Sequence, residues 1–147
     1  MNGSMVNEGL IRLAHGGMAP STLDRLFERY GTPDAVVSAV LRGRTKASAR
    51  VVEAVRVPAD VRTAQLERLG ITFVCESDDG FPERLRRYCG SPRFLFLMGR
   101  LSSSPAIGIV GTRTCTTYGT DLAFRYGTAA AKAGWSVVSG LARGIDG

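Results

Sequence analysis

The sequence predicts an α/β chain: a small helical module over residues 1–58, then, over residues 59–147, the first part of a doubly wound parallel sheet. Three observations predict this. Apolar residues fall at helical spacing between capping signals as far as Arg56. Two short β-branched runs, Ala106 to Val110 and Ser136 to Val138, each end in a glycine-punctuated loop. Between them Tyr118 to Gly134 places Leu122, Tyr126, Ala129, Ala130 and Ala133 on one 3.6-residue stripe, so the unit reads strand, loop, helix, strand, loop. A crossover helix makes the strands it joins parallel and almost always right-handed, and both loops then open at the carboxyl edge of the sheet, where open α/β folds bind ligands.

Residues 5 to 56 read as short helices, the first ending near Gly16 and Gly17. Ser21 with Asp24 forms a capping box that opens the second, whose Leu23, Leu26, Phe27 and Tyr30 make an apolar stripe closed by Gly31. Thr32 caps the third, with Pro33 at its first position and Gly43 past its end, and Lys46 to Arg56 supplies a fourth. Pro58 and the polar stretch after it mark a domain boundary. Val61, Leu66 and Leu69 then run as a helix toward Gly70, strand Ile71 to Cys75 follows, and the acidic loop Glu76 to Gly80 leads into a helix at Phe81 to Leu85. Arg93 to Met98 is a further strand, and Ser102 to Ser104 turn the chain into Ala106. Phe124 and Trp135, beside the crossover helix, are expected to bury against the sheet rather than stack on bases.

With 147 residues and 44% hydrophobic content the chain can bury one ordinary core, or a small module and part of another. All of its 19 basic side chains except Lys46 and Lys132 are arginines, and the net charge of +6 favours polyanionic partners. Cys75, Cys89 and Cys115 have no metal-ligand spacing and His15 is the one histidine, so neither a zinc site nor a disulfide framework is expected. With no signal peptide and no apolar run of about 18 residues, the expectation is a reduced, cytoplasmic protein that does not contact the membrane.

The two loops carry the chemistry. Gly111, Thr112 and Arg113 end the first, and Ser139, Gly140, Ala142, Arg143 and Gly144 form the second. Glycines let a phosphate approach backbone N–H groups, and the planar fork of Arg113 suits phosphate oxygens. A dinucleotide turn would read GxGxxG with an acid about 20 residues on, and a Walker loop GxxxxGK[ST]; neither occurs, so no nucleotide cofactor is expected. Ser139 has no base nearby in sequence, His15 lying in the helical module, so no catalytic residue is assigned and the protein is expected not to be an enzyme. Asp146 reads as the cap of a helix beyond Gly147. Cys115 is expected to be an inert loop thiol, and the clusters Arg42, Arg44, Lys46, Arg50 and Arg84, Arg86, Arg87 to be solvated helix faces.

IVGTR from Ile109, the Tyr118–Gly119 pair and SGLARGID from Ser139 to Asp146 resemble the opening motifs of the DNA-processing protein A family, also called Smf. Phe81 to Leu85 resembles its YPxxL element, with Phe81 in place of the usual tyrosine. Thr114 to Thr117 replace a loop that normally carries a serine before the tyrosine, and Thr116 or Thr117 can still supply the hydroxyl and cap the helix. The resemblance implies a Rossmann-like domain preceded by a helical module of sterile-alpha-motif or helix-hairpin-helix type. It implies sequence-independent binding of single-stranded DNA, which is handed to the RecA recombinase during natural transformation, and a homodimer in the full-length protein. The alternative from another class is a Rossmann-like nucleotide sensor or nucleoside monophosphate phosphoribohydrolase, whose GGxGT loop does not occur here. A parallel sheet is covered on both faces, so the chain is expected to be the front part of a longer protein.

Overall fold

A computed structural model describes residues 8–88 and 90–147; Cys89 and the beginning of the first expected helix, from residue 5, lie outside the described residues. The chain divides into two compact units, residues 1–100 and 101–147. The first contains α1 (Glu8–Ala14), α2 (Pro20–Tyr30), α3 (Pro33–Leu41), α4 (Ala49–Arg56), α5 (Ala59–Arg68), β1 (Ile71–Cys75), α6 (Glu83–Arg86) and β2 (Phe94–Met98). The second contains β3 (Ala106–Gly108), α7 (Thr117–Lys132) and β4 (Ser136–Val138).

Turn chemistry sets most of the helix ends in the first unit. The Thr32 hydroxyl accepts the Ala35 N–H at 3.2 Å, with Pro33 opening α3. Ser48 caps α4 in the same way. The Ser21–Asp24 capping box does not form. Pro20, with φ preset for a helix and no N–H to satisfy, opens α2 after an extended Ala19, which moves Ser21 inside the first turn. Asp24 is engaged instead by Arg93, at 2.9 Å.

Leu13, Leu23, Val36, Val37, Val40, Val51 and Val55 form the core between α1, α2, α3 and α4, with Leu26, Phe27 and Tyr30 of the α2 stripe packed against it. Full burial of such side chains is worth about 1.5–3 kcal/mol each, and Leu13, Val36 and Val55 are completely enclosed. Gly9 lets α1 lie on the start of α3: a Cβ there would come within 2.5 Å of the Asp34 backbone nitrogen.

The helical bundle does not end at Pro58. Ile11 of α1 packs on Ala59 and Leu66 of α5, and Ile71 and Phe73 of β1 close that second cluster, so α5 and the β1–β2 ribbon belong to the same compact unit and the division falls after Arg100. Nor do β1 and β2 join a parallel sheet. They pair antiparallel, Ile71 opposite Met98 and Cys75 opposite Phe94. The connection between them, residues 76–93, holds among its described residues the four-residue α6 and no helix long enough to cross the sheet and return the chain parallel. The return loop is pinned where Asp78 accepts the Cys75 N–H at 2.8 Å and Arg86 donates to the Glu76 carbonyl at 2.8 Å.

The second unit is a βαβ element. β3 and β4 are parallel, with Ile107 opposite Val137 and Gly108 opposite Val138, and α7 is the crossover. Thr116 caps α7 by accepting the Gly119 N–H at 3.2 Å, which supplies the hydroxyl expected at this loop. The helix presents a different stripe from the one expected. Gly119, Leu122, Ala123, Gly127, Thr128 and Ala130 are its half-buried positions, whereas Tyr126, Ala129 and Ala133 are exposed. Gly127 rests against the Ile109 side chain, 3.4 Å from where a Cβ would stand, and this small-residue contact fixes the helix rotation. That rotation leaves Phe124 74% exposed, and Trp135 in the following turn is 46% exposed, so neither buries against the sheet as expected.

Candidate nucleic-acid interface

β3 and β4 are each three residues long, so the chain leaves the sheet early and the loops at their carboxyl ends carry unpaired backbone groups. The two loops satisfy part of this need through one carboxylate. Asp146 accepts the Gly111 N–H on one oxygen at 2.9 Å and the Gly140 N–H on the other at 3.3 Å. Ser139 Oγ donates to the Asp146 carbonyl at 2.6 Å, and the Ile145 N–H donates to the Thr112 carbonyl at 3.2 Å. Asp146 is therefore a clamp between the loops, a role different from the helix cap expected of it.

Glycine is required at the contact. Gly144 has φ +106°, and a Cβ there would lie 2.2 Å from the Thr112 carbonyl oxygen and 2.8 Å from the Arg113 Cα. Gly111 faces the Ile145 side chain, which a Cβ would meet at 2.8 Å. Leu141, 85% exposed, adopts φ +51°, a left-handed conformation that a non-glycine residue takes at a cost of about 1–2 kcal/mol. Gly108, by contrast, faces open space.

The clamp sorts the expected site residues. The amides of Gly111 and Gly140 are occupied by Asp146, and the Ser139 hydroxyl is occupied by the same residue's backbone. The amides of Thr112, Arg113, Ala142, Arg143 and Gly144 have no acceptor among the described residues. Arg113 and Arg143 are exposed, and neither guanidinium has a hydrogen-bond or ion-pair partner among those residues. Because Gly144 sits on Arg113, the two loops bring these arginines side by side in the backbone, thirty positions apart in sequence.

No group of three or more metal-ligating side chains is present among the described residues. His15 belongs to the first unit, where its Nδ1 lies 2.8 Å from the Ile11 carbonyl and its ring meets Phe96 edge-on at 5.3 Å. The Cys115 sulfur lies 3.2 Å from the Thr120 hydroxyl near the start of α7. No helix among the described residues is long and apolar enough to cross a membrane.

This arrangement of loops coincides with a sequence match. The family described as DNA recombination-mediator protein A matches residues 72–147, which include β1, β2 and the whole of the second unit. The chain belongs to that family. Two relatives are similar to part of the chain: Protein Smf of Synechocystis, 36% identical over 80 residues, and DNA processing protein DprA of Bacillus subtilis, 40% identical over 81 residues. Those alignments cover 50% and 53% of this chain but only 20% and 27% of the relatives, so the chain spans a small part of the length of the proteins it matches. The sequence motifs identified the family and the two loops. They did not reveal the clamp, whose one signal was an acid two residues after a loop glycine where short strands leave amides unpaired.

Proposed function

We propose that this protein binds single-stranded DNA irrespective of sequence through the paired loops after β3 and β4, and that it does so without chemical turnover. The observation that carries the reading is the backbone contact of Gly144 with Thr112 and Arg113, which brings Arg113 and Arg143 onto adjoining loops whose nearby amides have no acceptor among the described residues. Guanidinium forks and backbone N–H groups recognise phosphate oxygens and carry no base information, so such contacts fix the strand's position but not its sequence. Thr112, Arg113, Ala142, Arg143 and Gly144 would supply the donors, while Gly111, Ser139 and Gly140 hold the cradle in shape. Within the full-length protein, which on this reading is a cytoplasmic homodimer with the loops on a Rossmann-like sheet, the bound strand is passed to the RecA recombinase.

Fluorescence anisotropy with labelled oligonucleotides tests this. A single strand should bind more tightly than duplex of equal length, and the logarithm of affinity should fall linearly with the logarithm of salt, by roughly 0.7 per phosphate neutralised. Arg113→Ala should weaken binding by about 1.5–3 kcal/mol, the range of a hydrogen bond to a charged group, and Arg113→Lys should restore only part, because a point charge cannot reproduce the fork. Equal affinity for both forms of DNA, or an unchanged affinity in Arg113→Ala, would sink the reading.

A further inference from the structure

The first unit contains a cavity of about 570 Å³ between the start of α2 and the start of α4. Its floor is aliphatic, formed by Met18, Leu26, Ala47 and Val51. Its rim carries four cations, Arg25 and Arg29 from α2 and Lys46 and Arg50 from the segment entering α4. No carboxylate lines it, and none of the four cations is ion-paired among the described residues. Lys46 and Arg50, expected on a solvated face, thus converge with two arginines from another helix. Two helix N-termini also meet at the cavity, through Thr22 in the first turn of α2 and the Ser48 cap of α4, and both favour negative charge.

We infer that this cavity docks an acidic segment of a partner protein, seating an aliphatic side chain on Met18, Leu26 and Val51 and carboxylates on the rim arginines. Charge complementarity requires an anion. The lining decides which kind: Met18, Leu26, Ala47 and Val51 offer an aliphatic floor whose volume accepts a leucine-sized group, which an acidic peptide brings and a phosphodiester backbone does not. The Arg50 guanidinium lies beside Gly17, 3.4 Å from where a Cβ would stand. Arg25 donates to the Ser21 carbonyl of its own helix at 3.2 Å.

The probe is a fluorescein-labelled synthetic peptide in which aspartates alternate with leucines, titrated into the intact chain and followed by anisotropy. Saturable binding is expected, weakened about tenfold or more by Arg25→Gln with Arg50→Gln. A peptide with serines in place of the leucines should bind at least about tenfold more weakly, which tests the floor without touching the protein. Both substituted positions are exposed, and unchanged amide spectra away from the cavity would verify the fold. Affinity for an oligothymidylate should stay within about twofold in the double variant, while Arg113→Ala should leave peptide binding as it was. An absence of saturable peptide binding, an unchanged affinity in the double variant, or a leucine-independent affinity would overturn the inference. So would a loss of oligothymidylate binding equal to the loss of peptide binding, which would make the cavity a nucleic-acid contact.

Discussion

Replacing Gly144 by alanine tests whether the two loops form one device. Two penalties separate at this position. The first is conformational: φ of +106° is a region L side chains rarely adopt. Gly134, at the end of α7, provides the control, because its φ is +80° and a Cβ there meets nothing within 4 Å. Gly134→Ala should therefore carry only the conformational cost, about 1–2 kcal/mol. At Gly144 the new methyl would also lie 2.2 Å from the Thr112 oxygen and 2.8 Å from the Arg113 Cα, both backbone atoms that cannot rotate aside. Relieving the overlap requires the loops to separate by roughly 1.3–1.8 Å, given ordinary contacts near 3.5–4.0 Å. A shift of that size breaks the 3.2 Å bond from the Ile145 N–H to the Thr112 carbonyl and draws Asp146 from the Gly111 and Gly140 amides. One neutral and two charge-assisted hydrogen bonds, weakened by partial exposure, bring the local cost to about 2–4 kcal/mol. Amide hydrogen exchange reads this residue by residue. In Gly144→Ala, protection at Gly111, Gly140 and Ile145 should fall by about tenfold or more beyond its level in Gly134→Ala, since 1.4 kcal/mol is a factor of ten. Affinity for single-stranded DNA should fall with it. Identical exchange in the two variants would show that the loops are not held by this contact.

Asp146→Asn should release one of the two clamped amides, because a carboxamide offers a single acceptor oxygen; loss of protection at either Gly111 or Gly140, worth about 1–3 kcal/mol, is the check. Leu13→Ala empties a completely enclosed position of the helical core and should lower stability by about 2–5 kcal/mol in urea titration followed by circular dichroism. Gly9→Ala should force α1 from the start of α3 by its overlap with the Asp34 nitrogen, at a cost larger than an exposed glycine-to-alanine change would carry, read in the same titration. Amides of residues 101–147 should exchange faster than those of α3 and α4, since none of the described residues in that unit is buried.

Where a local rule governed the outcome, the sequence was legible. Ile71–Cys75 and Ser136–Val138 fall at the expected residues, and the Thr32, Pro33 and Gly31 signals end and begin helices where turn chemistry requires. The misreadings share one cause, competition between a local signal and a contact made far along the chain. Ser21–Asp24 has the pattern of a capping box, but Pro20 starts the helix earlier and Arg93, distant in sequence, takes the carboxylate. Tyr126 and Ala129 fit a helical stripe, yet contact of Gly127 with Ile109 turns a neighbouring face inward. Pro58 looks like a boundary, and the Ile11 contact with Ala59 and Leu66 carries the packed unit past it. At the candidate site the glycines and arginines were visible in the motif, but the partner of each amide was not, because a hydrogen bond over 35 residues leaves no periodicity to read.

The presence of an acid inside a phosphate cradle has a physical rationale. Asp146 withdraws two amides from any incoming phosphate and adds a negative charge, both of which oppose anion binding. What it contributes is position. Held by Asp146, the loop after β4 places Gly144 on Arg113, so the backbones that carry Arg113 and Arg143 adjoin. Ordering long cationic side chains costs conformational entropy. With the backbones of both arginines held together, binding a strand has only their side chains left to order. The remaining charge balance, two arginines against one carboxylate, stays positive, and because Asp146 spends its oxygens on the amides, it competes poorly for those arginines. The glycines serve the same end: they permit the backbone contact that brings the two arginine-bearing loops together in a small, exposed unit.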